Sequence, residues 1–367
     1  MSKVRRLLMT TDCVGGVWNY CLTLCKELAQ RGVEITLAAV GPPPSNAQRA
    51  AAEAIANLRL HVRDSKLEWT SDPWDDLPLT DVWLEQLAQQ VQPDCVHLNQ
   101  YVHARAAFDA PVLVVAHSCV CSWWQAVHQT DAPGEWDEYR AQVREALQNA
   151  DHVVAPSHAM LRAADHHYGP LPRASVIHNG AQPPQPVSTL KEHHILAAGR
   201  LWDEAKNLQT LRDCAQEGGV GAPIFLAGPA TSPDGGTIDI TPLHALGHLD
   251  PGTMADAYRR AKIFAHPARY EPFGLAVLEA AQHGCALVLG DIPSLRELWQ
   301  DAAIFIPPND AAALRGVLNE LLADKQRCAQ LGYSAQQRAM RYSADAMTEN
   351  YLALYAQLAM SRAKEIV

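Results

Sequence analysis

The sequence predicts an α/β protein built from two doubly wound parallel sheets in tandem, and three observations lead there. Short apolar runs of strand length recur along the chain, helix-period stretches separate them, and the series starts afresh after a Pro-rich interruption, AQPPQPVSTLKE, at residues 181–192. A length of 367 residues fits about two domains, and a 48% apolar share is enough to give each a core.

Taken in order, the first half offers RRLLMTT (5–11) as a strand, WNYCLTLCKELAQRG (18–32) as a helix, and VEITLAAV (33–40) as the next strand. CVHLN (95–99), PVLVVAHS (111–118), HVVAPS (152–157) and ASVIHNG (174–180) follow. Residues 48–66, QRAAAEAIANLRLHVRDSK, are the one candidate for a surface helix, but the stretch is Ala-rich and mixed in charge, which gives little support for membrane attachment. The second half begins with HHILAAGR (193–200) and a helix from about Asn207, then APIFLAG (222–228), HALGHL (244–249), IFAHPA (263–268), ALVLG (286–290) and AIFIPP (303–308). The expected domains are residues 1–182 and 183–343. The amphipathic pattern of the last segment, 344–367, has no strand after it and is expected to pack back on the first domain. Ligands of open α/β sheets bind at the carboxyl ends of the strands, so two such domains facing each other would share one central cleft.

Composition narrows the function. A formal charge of -10 argues against nucleic-acid binding, which usually needs a basic excess. No run reaches the roughly 18 apolar residues of a membrane span, and MSKVRRLLMTT enters a strand pattern without a small-residue cleavage site, so a soluble, cytoplasmic protein is expected. The nine cysteines are odd in number and form no CxxC pair, which suits small buried hydrophobes in a reducing compartment.

Three stretches carry candidate chemistry. Gly15 and Gly16 stand where the first strand passes into the first helix, a place where missing side chains let a ligand approach backbone N–H groups. The pattern is not GxGxxG and no acidic residue ends the next strand, which disfavours a nicotinamide dinucleotide. Arg200 and Lys206, in GRLWDEAKNL, follow the first strand of the second half and suit two adjacent phosphates; a solvated basic loop is the alternative. In ARYEPFGLAVLEA (268–280), Pro272 fits the first turn of a helix, with Phe273, Gly274 and Leu275 presenting its unpaired N–H groups. Glu271 before that turn could accept hydrogen bonds from a polyol, and Glu279, about two turns on in apolar company, could hold a vicinal diol such as a ribose.

With ADHVVAPS, VIHNG, the GR…KN loop, GHLDPGTMADAYRRAKIFAHPARYEPFGLAVLEA and LVLGDIPSLRELW, the chain resembles the family-4 glycosyltransferases over nearly its whole length. That resemblance implies the GT-B fold, a nucleotide-sugar donor and retention of anomeric configuration. It implies that Glu279 holds the ribose and that Glu271, with the backbone of Phe273, Gly274 and Leu275, holds the donor sugar. Arg200 and Lys206 would neutralise the diphosphate, the Gly15-Gly16 loop would close on it, and His117 would lie near the transferred sugar. LWDEA puts five residues between Arg200 and Lys206 where the family commonly has four, an insertion that bears on the role of Lys206.

No Asp-x-Asp and no HExxH spacing occurs, so no metal or other cofactor is expected, and the leaving diphosphate would be met by Arg200, Lys206 and helix dipoles. The donor is expected to be a UDP-sugar before a GDP-sugar, and the acceptor a saccharide or small glycoconjugate. Seven of the nine tryptophans lie in the first half, and Trp123 or Trp124 could stack on an acceptor or could be packing under a long loop. A nucleotide-sugar epimerase and a non-catalytic nucleotide-sugar sensor are the competing readings.

Overall fold

The computed structural model describes residues 4–184, 190–216, 219–232 and 235–365. They form two compact units. One contains the chain up to Gly180 and from Ala344 onward, apart from Ala126–Gln129; these four residues group with Ala181–Ser343 in the other.

The first unit is a seven-stranded parallel sheet in the order β3-β2-β1-β4-β5-β6-β7. Its strands are β1 (Arg6–Thr11), β2 (Glu34–Val40), β3 (Leu58–Arg63), β4 (Cys95–Leu98), β5 (Val112–Val115), β6 (His152–Ala155) and β7 (Ala174–Val176). Between them run α1 (Gly16–Gln30), α2 (Asn46–Glu53), α3 (Asp76–Val91), α4 (Val120–His128), α5 (Asp137–Asn149) and α6 (His158–Tyr168). Strands β4 and β5, CVHL and VLVV, are buried at every residue, which is why neither reads as an alternating pattern and β5 reads as an unbroken apolar run.

The sequence reading of 48–66 as one helix candidate is corrected. Ser45 and Gln48 form a reciprocal capping box that starts α2, the helix ends at Glu53, and LRLHVR becomes β3, paired along β2 from Ile35↔Leu58 to Val40↔Arg63. The Ala-rich front of that stretch hid the period-2 alternation at its end.

The second unit is a six-stranded parallel sheet in the order β10-β9-β8-β11-β12-β13. It comprises β8 (Glu192–Ala198), α7 (Leu208–Gln216), β9 (Ile224–Ala227), β10 (His244–Gly247), α8 (Pro251–Arg260), β11 (Ala261–His266), α9 (Leu275–Gln282), β12 (Ala286–Gly290), α10 (Pro293–Trp299), β13 (Ile304–Ile306), α11 (Ala311–Ala323) and α12 (Lys325–Ala339). Asp250 caps α8 through the backbone N–H groups of Gly252 and Thr253, with Pro251 in the first turn.

The last helix, α13 (Ala344–Glu365), belongs to the first unit and contacts α1 and β4. Tyr351 and Tyr355 on it are fully buried. Arg31, just past α1, pairs with Glu27, Asp345 and Glu349.

In each sheet the winding direction reverses once, between β1 and β4 in the first unit and between β8 and β11 in the second. Such switch points leave a crevice at the strands' carboxyl ends. Gly15 and Asn99 follow the first pair; Arg200 and Glu271 follow the second.

Candidate functional site

In the second unit the chain leaves β8 at Gly199, whose carbonyl oxygen would lie 1.8 Å from a Cβ at Gly228. Only a glycine at 228 lets these two strand ends come that close. Arg200 follows, half exposed, with its guanidinium 2.7 Å from the buried Asp203 carboxylate and 5.3 Å from the Trp202 ring centre. Asn207 takes a left-handed conformation (φ 57) and ties the loop down by donating to the carbonyls of Pro267 and Pro308. Lys206, thus fixed, reaches Glu271: Nζ to Oε2 is 2.7 Å, and both side chains are mostly buried. His266, the last residue of β11, is 3.2 Å from the same oxygen, and the Ser294 hydroxyl donates to the Glu271 carbonyl at 2.5 Å.

Burial alone would raise the Glu271 carboxyl, but the Lys206 ammonium and the His266 hydrogen bond outweigh it and hold the group well below the usual carboxylate range. Lys206 and Glu271, assigned by the resemblance to different parts of a donor, are therefore each other's partners in this structure.

The expectation that Pro272 sits in the first turn of a helix is corrected. Gly274 adopts φ 88, ψ 68, a left-handed conformation that breaks any helical run, so α9 starts at Leu275 and Pro272 and Phe273 precede it. Phe273 is buried, its ring edge-on to Tyr342 at 5.6 Å. The N–H groups without an intrahelical partner belong to the turn that begins at Leu275. A Cβ on Gly274 would stand 3.3 Å from Glu271 Cγ, which places the carboxylate beside that helix start. Glu279 lies further along α9, half-buried. Burial raises its carboxyl, partly offset by a hydrogen bond from the buried Tyr258 hydroxyl.

In the first unit Gly15 is the N-cap of α1 and Gly16 its first residue; Gly16 is exposed and no side chain caps the turn. His117, just past β5, is half-buried, with Nε2 2.7 Å from Asn99 Oδ1 and its ring edge-on to Tyr20 at 4.6 Å. Burial lowers the His117 imidazole to about 3, so it is neutral near pH 7. Trp123 and Trp124 are neighbours on α4, half-buried, with ring centres 6.1 Å apart; Trp124 Nε1 donates to Thr130 at 3.3 Å.

Sequence reading missed Asn99, which holds His117, and His97 and Tyr355, which stand behind Asn99. A signal was present: in CVHLN, His97 interrupts an apolar strand and is fully buried, and a buried polar side chain needs partners. It missed His266 for the same reason, a polar end on the apolar strand β11.

Comparison with known proteins agrees with this architecture. The family model described as Glycosyltransferase Family 4 matches residues 14–183, and that described as Glycosyl transferases group 1 matches residues 242–338. A glycogen synthase of Mycobacterium tuberculosis is 27% identical over 280 residues, covering 67% of this chain and 64% of that protein. The match thus spans less than two thirds of that relative. A D-inositol 3-phosphate glycosyltransferase of Xylanimonas cellulosilytica is 26% identical over 406 residues, covering 96% of this chain and 94% of the other.

Among solved structures, a sucrose-phosphate synthase from Thermosynechococcus elongatus superposes with a TM-score of 0.78 at 19% identity, covering 97% of this chain and 100% of that one. Anabaena HepE in complex with UDP-glucose superposes with a TM-score of 0.72 at 17% identity, covering 96% and 99%. By these sequence matches and by its two singly reversed parallel sheets, the chain belongs to the GT-B glycosyltransferases, with a family 4 first half and a group 1 second half.

Proposed function

We propose that the protein transfers a hexose from a nucleotide-diphosphate sugar to a hydroxyl of a saccharide or small glycoconjugate, retaining the anomeric configuration and using no metal ion. The observation that carries this reading is the Lys206–Glu271–His266 cluster set beside the start of α9. A buried carboxylate kept ionised by a lysine and a histidine is a ready acceptor for sugar hydroxyls. The adjacent helix start offers donors to an anion. Arg200 and Lys206 bring two cations to the carboxyl end of β8, where the diphosphate charge grows as it departs. Glu279, lined up on the same helix, takes the ribose hydroxyls.

In the reaction as proposed, the bond from the anomeric carbon to the diphosphate oxygen breaks. The acceptor oxygen then bonds to that carbon on the same face, and its proton passes to an oxygen of the leaving phosphate. His117 contacts the transferred sugar, the Gly15-Gly16 turn approaches the donor phosphate through its backbone, and Trp123 or Trp124 stacks on the acceptor. Trapping of a glycosyl adduct on any carboxylate of the chain would rule out the same-face route. A uridine donor is favoured by the UDP-glucose bound to the structurally similar HepE.

A thermal-shift screen against UDP, GDP, ADP and their hexose conjugates, with and without EDTA, tests the donor. A ligand of the folded state at 100 times its dissociation constant stabilises by about 2.7 kcal/mol. The expected result is a shift with UDP-sugars that EDTA leaves unchanged. No shift with any nucleotide would remove the reading.

A further inference from the structure

The side chain of Asn99, one residue past the carboxyl end of β4, has all of its hydrogen-bonding capacity in use. Its Nδ2 donates to the Thr10 carbonyl at 2.7 Å and to Cys21 Sγ at 3.2 Å, and its Oδ1 faces His117 Nε2 at 2.7 Å and His97 Nε2 at 3.3 Å. The backbone N–H of Asn99 donates to Thr10 Oγ1. Turning the amide over would set Oδ1 against the Thr10 carbonyl oxygen, so one orientation is imposed. An amide oxygen only accepts, so His117 must present Nε2–H to it at 2.7 Å; the His97 Nε2–H, 3.3 Å from the same oxygen and 3.4 Å from the Tyr20 hydroxyl, is shared between the two. Neutral His97 then has its lone pair at Nδ1, where the Tyr355 hydroxyl of α13 stands at 2.5 Å.

We propose that Asn99 is a positioning residue for His117, fixing that imidazole as the Nε2–H tautomer with its lone pair at Nδ1, and that His97 and Tyr355 lock Asn99 in place. The functional consequence rests on the role proposed above for His117: with Nε2 committed to Asn99, only Nδ1 is left to accept a hydrogen bond from a sugar hydroxyl. The groups that face this pair are Tyr20 of α1 against His117, and Tyr20, Tyr351 and Tyr355 against His97. Burial raises all three phenols above their ordinary value, so none of the three carries a charge at neutral pH.

The test uses full-length protein labelled with 15N-histidine, with the His117 signals identified by their loss in His117→Gln. In the wild-type protein near neutral pH, His117 is expected with Nε2 protonated and Nδ1 bare. Asn99→Ala should give mixed tautomers, and kcat should fall about tenfold while KM for the donor changes by less than about twofold.

Asn99→Asp, close in shape, puts an anion on Nε2 and should raise the pH at which His117 takes up its second proton by more than about one unit. Tyr355→Phe should shift the His117 signals in the same sense as Asn99→Ala, by less. Should Asn99→Ala fail to fold, the Asp and Tyr355→Phe variants decide. An Nδ1–H tautomer in the wild-type protein, or His117 signals and titration unchanged in the folded variants, overturns the inference. Full transfer activity in His117→Gln would remove the catalytic reading of His117 while leaving the tautomer result to stand or fall by itself.

Discussion

The ammonium of Lys206 sits 2.7 Å from the carboxylate of Glu271, sixty-five residues away in sequence, with both side chains less than a fifth exposed. In so dry a pair, removing one partner strands the other. Lys206→Met is expected to destabilise the second unit by about 3 kcal/mol, and Glu271→Gln by a similar amount, in urea unfolding. The double variant should lose clearly less than the sum of the two. Strict additivity would mean that the pair is not coupled.

The two carboxylates on either side of the α9 start respond to pH in opposite ways. Glu279 is raised by burial, so it takes up a proton at a higher pH than an ordinary glutamate, and nucleotide affinity should weaken as pH falls toward that region. Glu279→Ala should weaken nucleotide binding by about 1.5 to 3 kcal/mol, the range for hydrogen bonds to a charged group. Titration calorimetry with UDP checks both. Affinity unaffected by the substitution would take Glu279 out of the site.

Arg200 is expected to act later in the reaction. Its guanidinium is held by Asp203 and is still partly exposed, so it can meet charge that appears as the diphosphate leaves. Arg200→Ala should lower kcat more than it raises KM for the donor. Steady-state kinetics in which only KM changes would place the residue in ground-state binding.

Acid sensitivity should come first from the first unit. His97 is held down to about 3 by burial and by the neighbouring His117, against an ordinary value of 6.5. A histidine whose folded value is depressed favours the fold while both states are neutral. Its contribution is full above about pH 6.5 and is lost as pH falls toward about 3, at up to about 1.4 kcal/mol per pH unit. Glu271 also loses its contribution on acidification, starting only as pH falls through the ordinary carboxylate value of 4.5. Above about pH 5 the stability curve therefore carries the contribution of His97 together with that of His117, also lowered to about 3, and His97→Gln should make it less steep. An unchanged slope would contradict the buried, neutral assignment.

Gly274→Ala tests the backbone at the helix start. A left-handed residue other than glycine costs about 1 to 2 kcal/mol, and the new methyl would press on Val277 at 3.1 Å and on Glu271 Cγ at 3.3 Å. Unfolding should show the first effect. A fall in kcat larger than that loss of stability explains should show the second.

Much of this architecture was legible because it is local. Runs such as ALVLG and VLVV are strands buried on both faces, and a linker rich in proline separates two series of them. Glu279 stood out because charge in apolar company is costly without a partner, Arg200 and Lys206 because they follow the first strand of the second half, and Glu271 because it precedes a helix turn. Which partners they take was not legible: Lys206 and Glu271 meet through the fold of two separate loops, and Tyr355 reaches His97 across 258 positions. The start of α9 was misplaced because Pro272 is a good first-turn residue, whereas the left-handed Gly274 two positions later decides the boundary. The strand β3 was lost behind an alanine-rich neighbour with strong helical propensity.

Helix α13 has a consequence for the order in which the protein can be made. Tyr351 and Tyr355 cover Tyr20 and His97 in the first unit, yet the ribosome delivers them only after the whole of the second unit. Domains usually fold in the order of synthesis, at about 5–20 residues per second. Here the later-encoded unit has all of its long segment, Ala181–Ser343, in hand first, while the earlier one waits with an uncovered aromatic and histidine patch until its closing helix emerges. Nascent chains stalled before Ala344 should accordingly be the species that chaperones hold.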